Sequence, residues 1–128
     1  MEYDVFKAND KIAEKNRTNL DKHQVFSVNI MGAIGSGKTT LIEEAIKNLK
    51  GKYRIAVIAG DVIAEMDASR FRKLGVPTIP VNTGKECHLD AKLLEKALNE
   101  IDLENTDILI IENVGNLICP VDLSLIHI

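Results

Sequence analysis

Val25-Phe26-Ser27-Val28-Asn29-Ile30-Met31-Gly32-Ala33-Ile34-Gly35-Ser36-Gly37-Lys38-Thr39 decides how this chain is read. Val25 to Met31 is rich in β-branched and apolar residues and predicts a strand. Gly32 to Thr39 then fits G-x-x-x-x-G-K-S/T at every fixed position. Lys38 to Leu49 predicts a helix, stopped by Gly51. Each residue type in the loop has a physical reason. Gly32, Gly35 and Gly37 allow backbone angles and a close approach that a side chain would forbid. Successive N–H groups of Ala33, Ile34, Gly35 and Ser36 can then turn toward one anion, and the helix adds its positive end at the same point. Lys38 is suited to reach β- and γ-phosphates, and the Thr39 hydroxyl to ligate Mg²⁺. An accidental glycine-rich turn would need neither flanking element.

Outward from this loop, strands and helices alternate. A polar stretch from Val5 to Leu20 has weak helical periodicity and reads as a surface helix. After the P-loop helix come a strand over Tyr53 to Ala59, a helix over Asp67 to Leu74 closed by Gly75, and a short strand over Pro77 to Val81. A helix over Leu89 to Glu100 and a buried strand over Asp107 to Ile111 complete the pattern. Such alternation predicts an α/β fold, a parallel sheet flanked by helices.

Composition restricts the partners. Apolar residues make up 45% and charged residues 27% of 128 residues, as in a globular domain. Net charge is −3, with cations scattered among acids rather than gathered in a basic stripe, so no nucleic-acid partner is expected. No apolar run approaches the roughly 20 residues of a membrane span, and Met1 to Lys11 has no signal-peptide core. A cytoplasmic protein with no membrane partner is the expectation, and Cys87 and Cys119 are then expected as thiols or metal ligands rather than a disulfide.

Ligands of open parallel sheets sit at the carboxyl ends of strands. Asp61 follows one strand and Glu112 ends another, so either can hold Mg²⁺ or orient an attacking water. For Asp61 a helix cap competes, and for Glu112 a solvated loop position. Asp67 suits the metal and equally suits a plain N-cap. Gly115, three residues after Glu112, suits a loop that senses a γ-phosphate. Adjacent Cys87 and His88, with Cys119 downstream, offer thiolates and an imidazole to a soft or borderline ion. An inert buried Cys119 and a His88 that starts a helix are the competing readings.

Four segments together resemble one family: Gly32 to Thr40, Gly60-Asp61-Val62, Asn82-Thr83-Gly84-Lys85-Glu86-Cys87-His88-Leu89-Asp90-Ala91, and Ile111-Glu112-Asn113-Val114-Gly115-Asn116-Leu117-Ile118-Cys119-Pro120. They look like the HypB family, the nickel-incorporation GTPases of nickel–iron hydrogenase and urease maturation. The resemblance runs from about Val5 to Asp122. It implies a P-loop G domain over 25–122, preceded by a helical segment over 1–24, that binds GTP and dimerises around it. It also implies a Ni²⁺ or Zn²⁺ site of Cys87, His88 and Cys119 at the homodimer interface. Gly32 through Thr40 and Gly115 would then hold nucleotide. Lys38, Asp61 and Glu112 would be catalytic, Thr39 and Asp61 would hold Mg²⁺, and Glu112 to Gly115 would be the switch connecting both sites. Hydrogenase maturation proteins and the hydrogenase large subunit are the implied partners.

Two departures stand out. There is no N-terminal Cys-rich or His-rich nickel tract, and His23 is isolated. The guanine-reading N-K-x-D segment has no counterpart, and Leu123 to Ile128 resembles nothing in the family. That tail reads as translated adapter sequence on a truncated gene product, so His127 is not expected to be a ligand. Two rivals stay in view: a small-molecule P-loop kinase, and a metal-binding, dimerising fragment without useful GTPase activity.

Overall fold

The computed structural model describes residues 2–32, 37–60, 64–81 and 91–114. Four parallel strands form one sheet in the order β1-β4-β2-β3, where β1 is Phe26–Gly32, β2 Ile55–Gly60, β3 Thr78–Pro80 and β4 Ile108–Val114. The helices are α1 (Glu2–Lys22), α2 (Lys38–Leu49), α3 (Ala64–Arg72) and α4 (Ala91–Leu98). This is the α/β, parallel-sheet architecture that the alternation predicts. β2 is buried at all six positions, which explains why it reads as a continuous apolar run rather than an alternating one.

Alternation along the strands divides the interior in two. Ala56, Ile58, Leu109 and Ile111 meet Ala13 and Leu20 of α1 and Leu94 and Leu98 of α4. Ile55, Val57, Ala59 and Ile110 meet Ile42 and Ile46 of α2 and Phe71 of α3. The stretch expected as a surface helix is therefore anchored. Ala13, Asn16 and Leu20, spaced three and four apart, are its buried face. Asn16 Nδ2 also donates to the Ala91 carbonyl at 3.0 Å, fastening α1 to the start of α4.

Boundaries differ at one informative place. The helix predicted from Asp67 begins at Ala64. Asp67 is thus inside the first turns, not at the N-cap, and its side chain is 2% exposed. β4 also extends past Ile111 to Val114, so Glu112 is a strand residue with 0% exposure rather than a solvated loop acid.

Candidate functional site

The site is built at the carboxyl ends of β1 and β4, which lie side by side with Ile30 opposite Glu112 and Gly32 opposite Val114. The loop after β1 leads into α2 through Gly37, at φ 87°. That left-handed conformation is open to glycine at little cost. No side chain caps α2 at Gly37, and the first N–H groups of a helix have no intrahelical partners. They are available to an anion.

Lys38 folds back from α2. Its ammonium donates to the Gly32 carbonyl at 2.9 Å and to the Asn113 carbonyl at 3.2 Å. The side chain is 6% exposed, so the cation is fixed between the two strand ends. One residue on, the Thr39 hydroxyl lies 3.3 Å from Asp67 Oδ1 and 3.4 Å from Glu112 Oε2. Three elements thus converge on one hydroxyl: α2, α3 and β4. Asp67 Oδ2 is buried with no hydrogen-bond partner among the described residues. Two buried carboxylates and a hydroxyl form a hard-oxygen donor set, and the orphaned Asp67 oxygen needs a cation or donor. The set fits Mg²⁺.

Of the residues expected at the site, the structure brings together Gly32, Gly37, Lys38, Thr39 and Glu112. Thr40, on α2, is exposed. Ala33, Ile34, Gly35, Ser36, Asp61, Cys87, His88, Gly115 and Cys119 lie outside the described residues. One contributor escaped the sequence reading, and another stood open in it. The Asn113 carbonyl is a backbone acceptor, which any residue supplies. Asp67, which the sequence offers as a metal residue or a cap, is spaced four from the fully buried Phe71 and shares its inward face.

The described residues also form a groove of about 760 Å³ lined by Lys50, Tyr53, Leu74, Val76 and Ile101. It lies at the amino ends of the strands, away from Lys38 and Glu112. Nearby, Arg54 holds Asp107 through two contacts of 3.1 and 2.9 Å. The guanidinium hydrogen bond keeps the Asp107 carboxyl low, at about 2. The Arg54 pKa is raised by the same partner. This pair joins the starts of β2 and β4 and has no part in the phosphate site.

The family model described as CobW/HypB/UreG, nucleotide-binding domain, matches residues 26–127. The chain belongs to this family. Among CobW/HypB/UreG proteins it is 60% identical over 122 residues to the probable hydrogenase maturation factor HypB of Methanocaldococcus jannaschii, covering 95% of this chain and 55% of that one. It is 44% identical to the hydrogenase maturation factor HypB of Escherichia coli, covering 98% and 43% respectively. The crystal structure of HypB from Archaeoglobus fulgidus superposes with a TM-score of 0.82 at 47% identity, covering 94% of this chain and 58% of that one. HypB from Helicobacter pylori in complex with nickel gives a TM-score of 0.77 at 38% identity, covering 86% and 52%. The chain spans about half the length of these CobW/HypB/UreG relatives. No helix among the described residues is long and apolar enough to cross a membrane.

Proposed function

We propose that the chain is the nucleotide-binding part of a GTP-binding, GTP-hydrolysing metallochaperone that helps insert nickel during nickel–iron hydrogenase maturation. One observation carries the nucleotide half of this reading: the Thr39 hydroxyl sits between buried Asp67 and Glu112, beside a lysine anchored at the end of β1. Kinship with HypB proteins, one of them solved in complex with nickel, supports the nickel half.

In this mechanism the backbone N–H groups around Gly37 and the start of α2 grip the phosphates. Lys38 places positive charge where the β–γ bridge develops negative charge. Thr39, Asp67 and Glu112 hold Mg²⁺, with Asp61 as a further ligand or as the group that orients the attacking water. When bound, Mg²⁺ neutralises charge on the β- and γ-phosphate oxygens. The Lys38–Asn113 contact ties the phosphate site to the end of β4, so a change at the γ-phosphate reaches the switch from Glu112 to Gly115. Nickel is the cargo, taken by Cys87, His88 and Cys119 across a homodimer in the cytoplasm, before transfer through other maturation proteins to the hydrogenase large subunit. Those thiolates and the imidazole suit Ni²⁺ and Zn²⁺ alike.

A small-molecule kinase would use Gly32 to Thr39 but leave Cys87, His88 and Cys119 idle. The deciding experiment is calorimetry with GTP and ATP, combined with phosphate release. Binding of GTP with Mg²⁺ followed by slow hydrolysis is expected. Metal binding with no turnover would select the dimerising-fragment reading, and phosphoryl transfer to a small molecule would select the kinase.

A further inference from the structure

We propose that the Thr39–Asp67–Glu112 cluster takes its divalent cation before the nucleotide arrives. The inference rests on the nucleotide reading above and adds an order of binding to it. Asp67 is 2% exposed and Glu112 0%, yet one oxygen of each lies within hydrogen-bond distance of the same hydroxyl. Two like charges withdrawn from water around one point disfavour each other and attract a cation. Asp67 Oδ2 is the independent sign of a missing ligand, being buried with no hydrogen-bond partner among the described residues. A carboxylate oxygen so placed is costly unless an ion meets it. Lys38 donates to the carbonyls of Gly32 and Asn113. Thr39, between the two carboxylates, is half-buried.

The consequence has a sign. A triphosphate that arrives at the empty cluster meets two buried carboxylates, which oppose the attraction of Lys38 and of the start of α2. One that arrives after the cation meets a neutralised site. Removing the Asp67 charge should therefore have opposite effects in the two cases. Without a divalent cation it relieves repulsion and tightens nucleotide binding. With Mg²⁺ it removes a ligand and weakens binding.

The test uses the full 128-residue chain with Cys87→Ser and Cys119→Ser, so that thiolates hold no metal. Mn²⁺ is titrated in the absence of nucleotide and followed by electron paramagnetic resonance. One bound Mn²⁺ per chain is expected, with affinity reduced at least about tenfold in Asp67→Asn and in Glu112→Gln. GTP affinity is then measured in EDTA and in Mg²⁺, on variants shown by circular dichroism to be folded. Asp67→Asn is expected to bind GTP more tightly than its parent in EDTA and more weakly in Mg²⁺; Glu112→Gln repeats the comparison independently. A parent that binds GTP with Mg²⁺ but takes up no Mn²⁺ alone overturns the order of binding and leaves the nucleotide reading intact. Weaker GTP binding by both variants under both conditions also overturns it, by reducing the carboxylates to structural parts. Failure of the parent to bind GTP with Mg²⁺ overturns the nucleotide reading itself.

Discussion

At Gly37 the backbone is held at φ 87°, and among the described residues beyond its chain neighbours no atom lies within 4 Å of where a Cβ would stand. The left-handed conformation itself therefore restricts the position. Any other residue there pays about 1–2 kcal/mol to remain left-handed, and a branched one also stands where the phosphates are expected. Gly37→Ala is expected to lower stability by that amount, and Gly37→Val to abolish GTP binding in calorimetry. For Lys38→Ala the loss is electrostatic. Hydrogen bonds from a charged donor contribute about 1.5–3 kcal/mol each, so GTP affinity should fall about tenfold to a hundredfold. A folded Lys38→Ala variant with unchanged affinity would remove the lysine from the site. What was legible at this scale followed from side-chain chemistry. Lys38 and Thr39 were found because phosphate binding demands those types at that spacing, and Glu112 because an acid ends an apolar strand. The Asn113 carbonyl was illegible because main-chain acceptors have no letter in a sequence.

Strands and helices were legible where one period dominates. α2 runs over the predicted Lys38 to Leu49, fixed by the glycine before it and the alternation of Ile42 and Ile46 with polar neighbours. α3 starts three residues early, because an aspartate ahead of apolar residues gives an N-cap signal even from inside a helix. The 3₁₀ turn Leu103–Asn105 has no periodicity to read. It is held by local bonds such as the Thr106 hydroxyl to the Asp102 carbonyl at 2.8 Å. Joining of β2 to β4 has a titratable part. Asp107 accepts from the Arg54 N–H at 2.8 Å as well as from the guanidinium, and its pKa falls from 3.8 to about 2. The sign follows from the lowered folded value: the contribution is complete above the unfolded pKa and is lost as pH falls toward about 2. Asp107→Asn should lower the melting temperature at pH 7 and flatten the decline between about pH 4 and about pH 2. A melting temperature unchanged by Asp107→Asn at neutral pH would show that the clamp adds no stability.

At the scale of the whole molecule, β1 is an edge of the sheet among the described residues. This strand pairs only with β4 among the described residues, and its first residue, Phe26, is 68% exposed. An exposed strand edge with an aromatic beside it invites pairing with another chain. Concentration-dependent association of the 128-residue chain is expected by light scattering, and Phe26→Lys should suppress it without changing GTP affinity, since the carboxyl end of β1 carries the phosphate site. An equal scattering signal from Phe26→Lys would place the association elsewhere.

Association through the metal should behave differently, and this separates it from edge pairing. On the reading proposed here, Cys87 and His88 are neighbours just before α4, and Cys119 follows the Glu112 to Gly115 switch. Three protein ligands leave a four-coordinate ion one open position, which a symmetry mate can fill. The ion then holds two chains, and the response depends on metal, whereas edge pairing does not. Thiolate and imidazole must be unprotonated to bind, so affinity should fall as pH drops below the ordinary values of about 8.5 and about 6.5. Sedimentation during Ni²⁺ or Zn²⁺ titration, done in the Phe26→Lys background, measures the metal-dependent part alone. Dimer formation that follows metal, weakens with acid and disappears in Cys87→Ser, His88→Ala and Cys119→Ser is the expected result. GTP with Mg²⁺ should strengthen it, because the segment bearing Cys119 continues from β4, whose Asn113 carbonyl meets Lys38. Metal-dependent dimers that persist unchanged in a folded Cys119→Ser variant would make Cys119 a core residue. They would also break the proposed link between nucleotide and cargo.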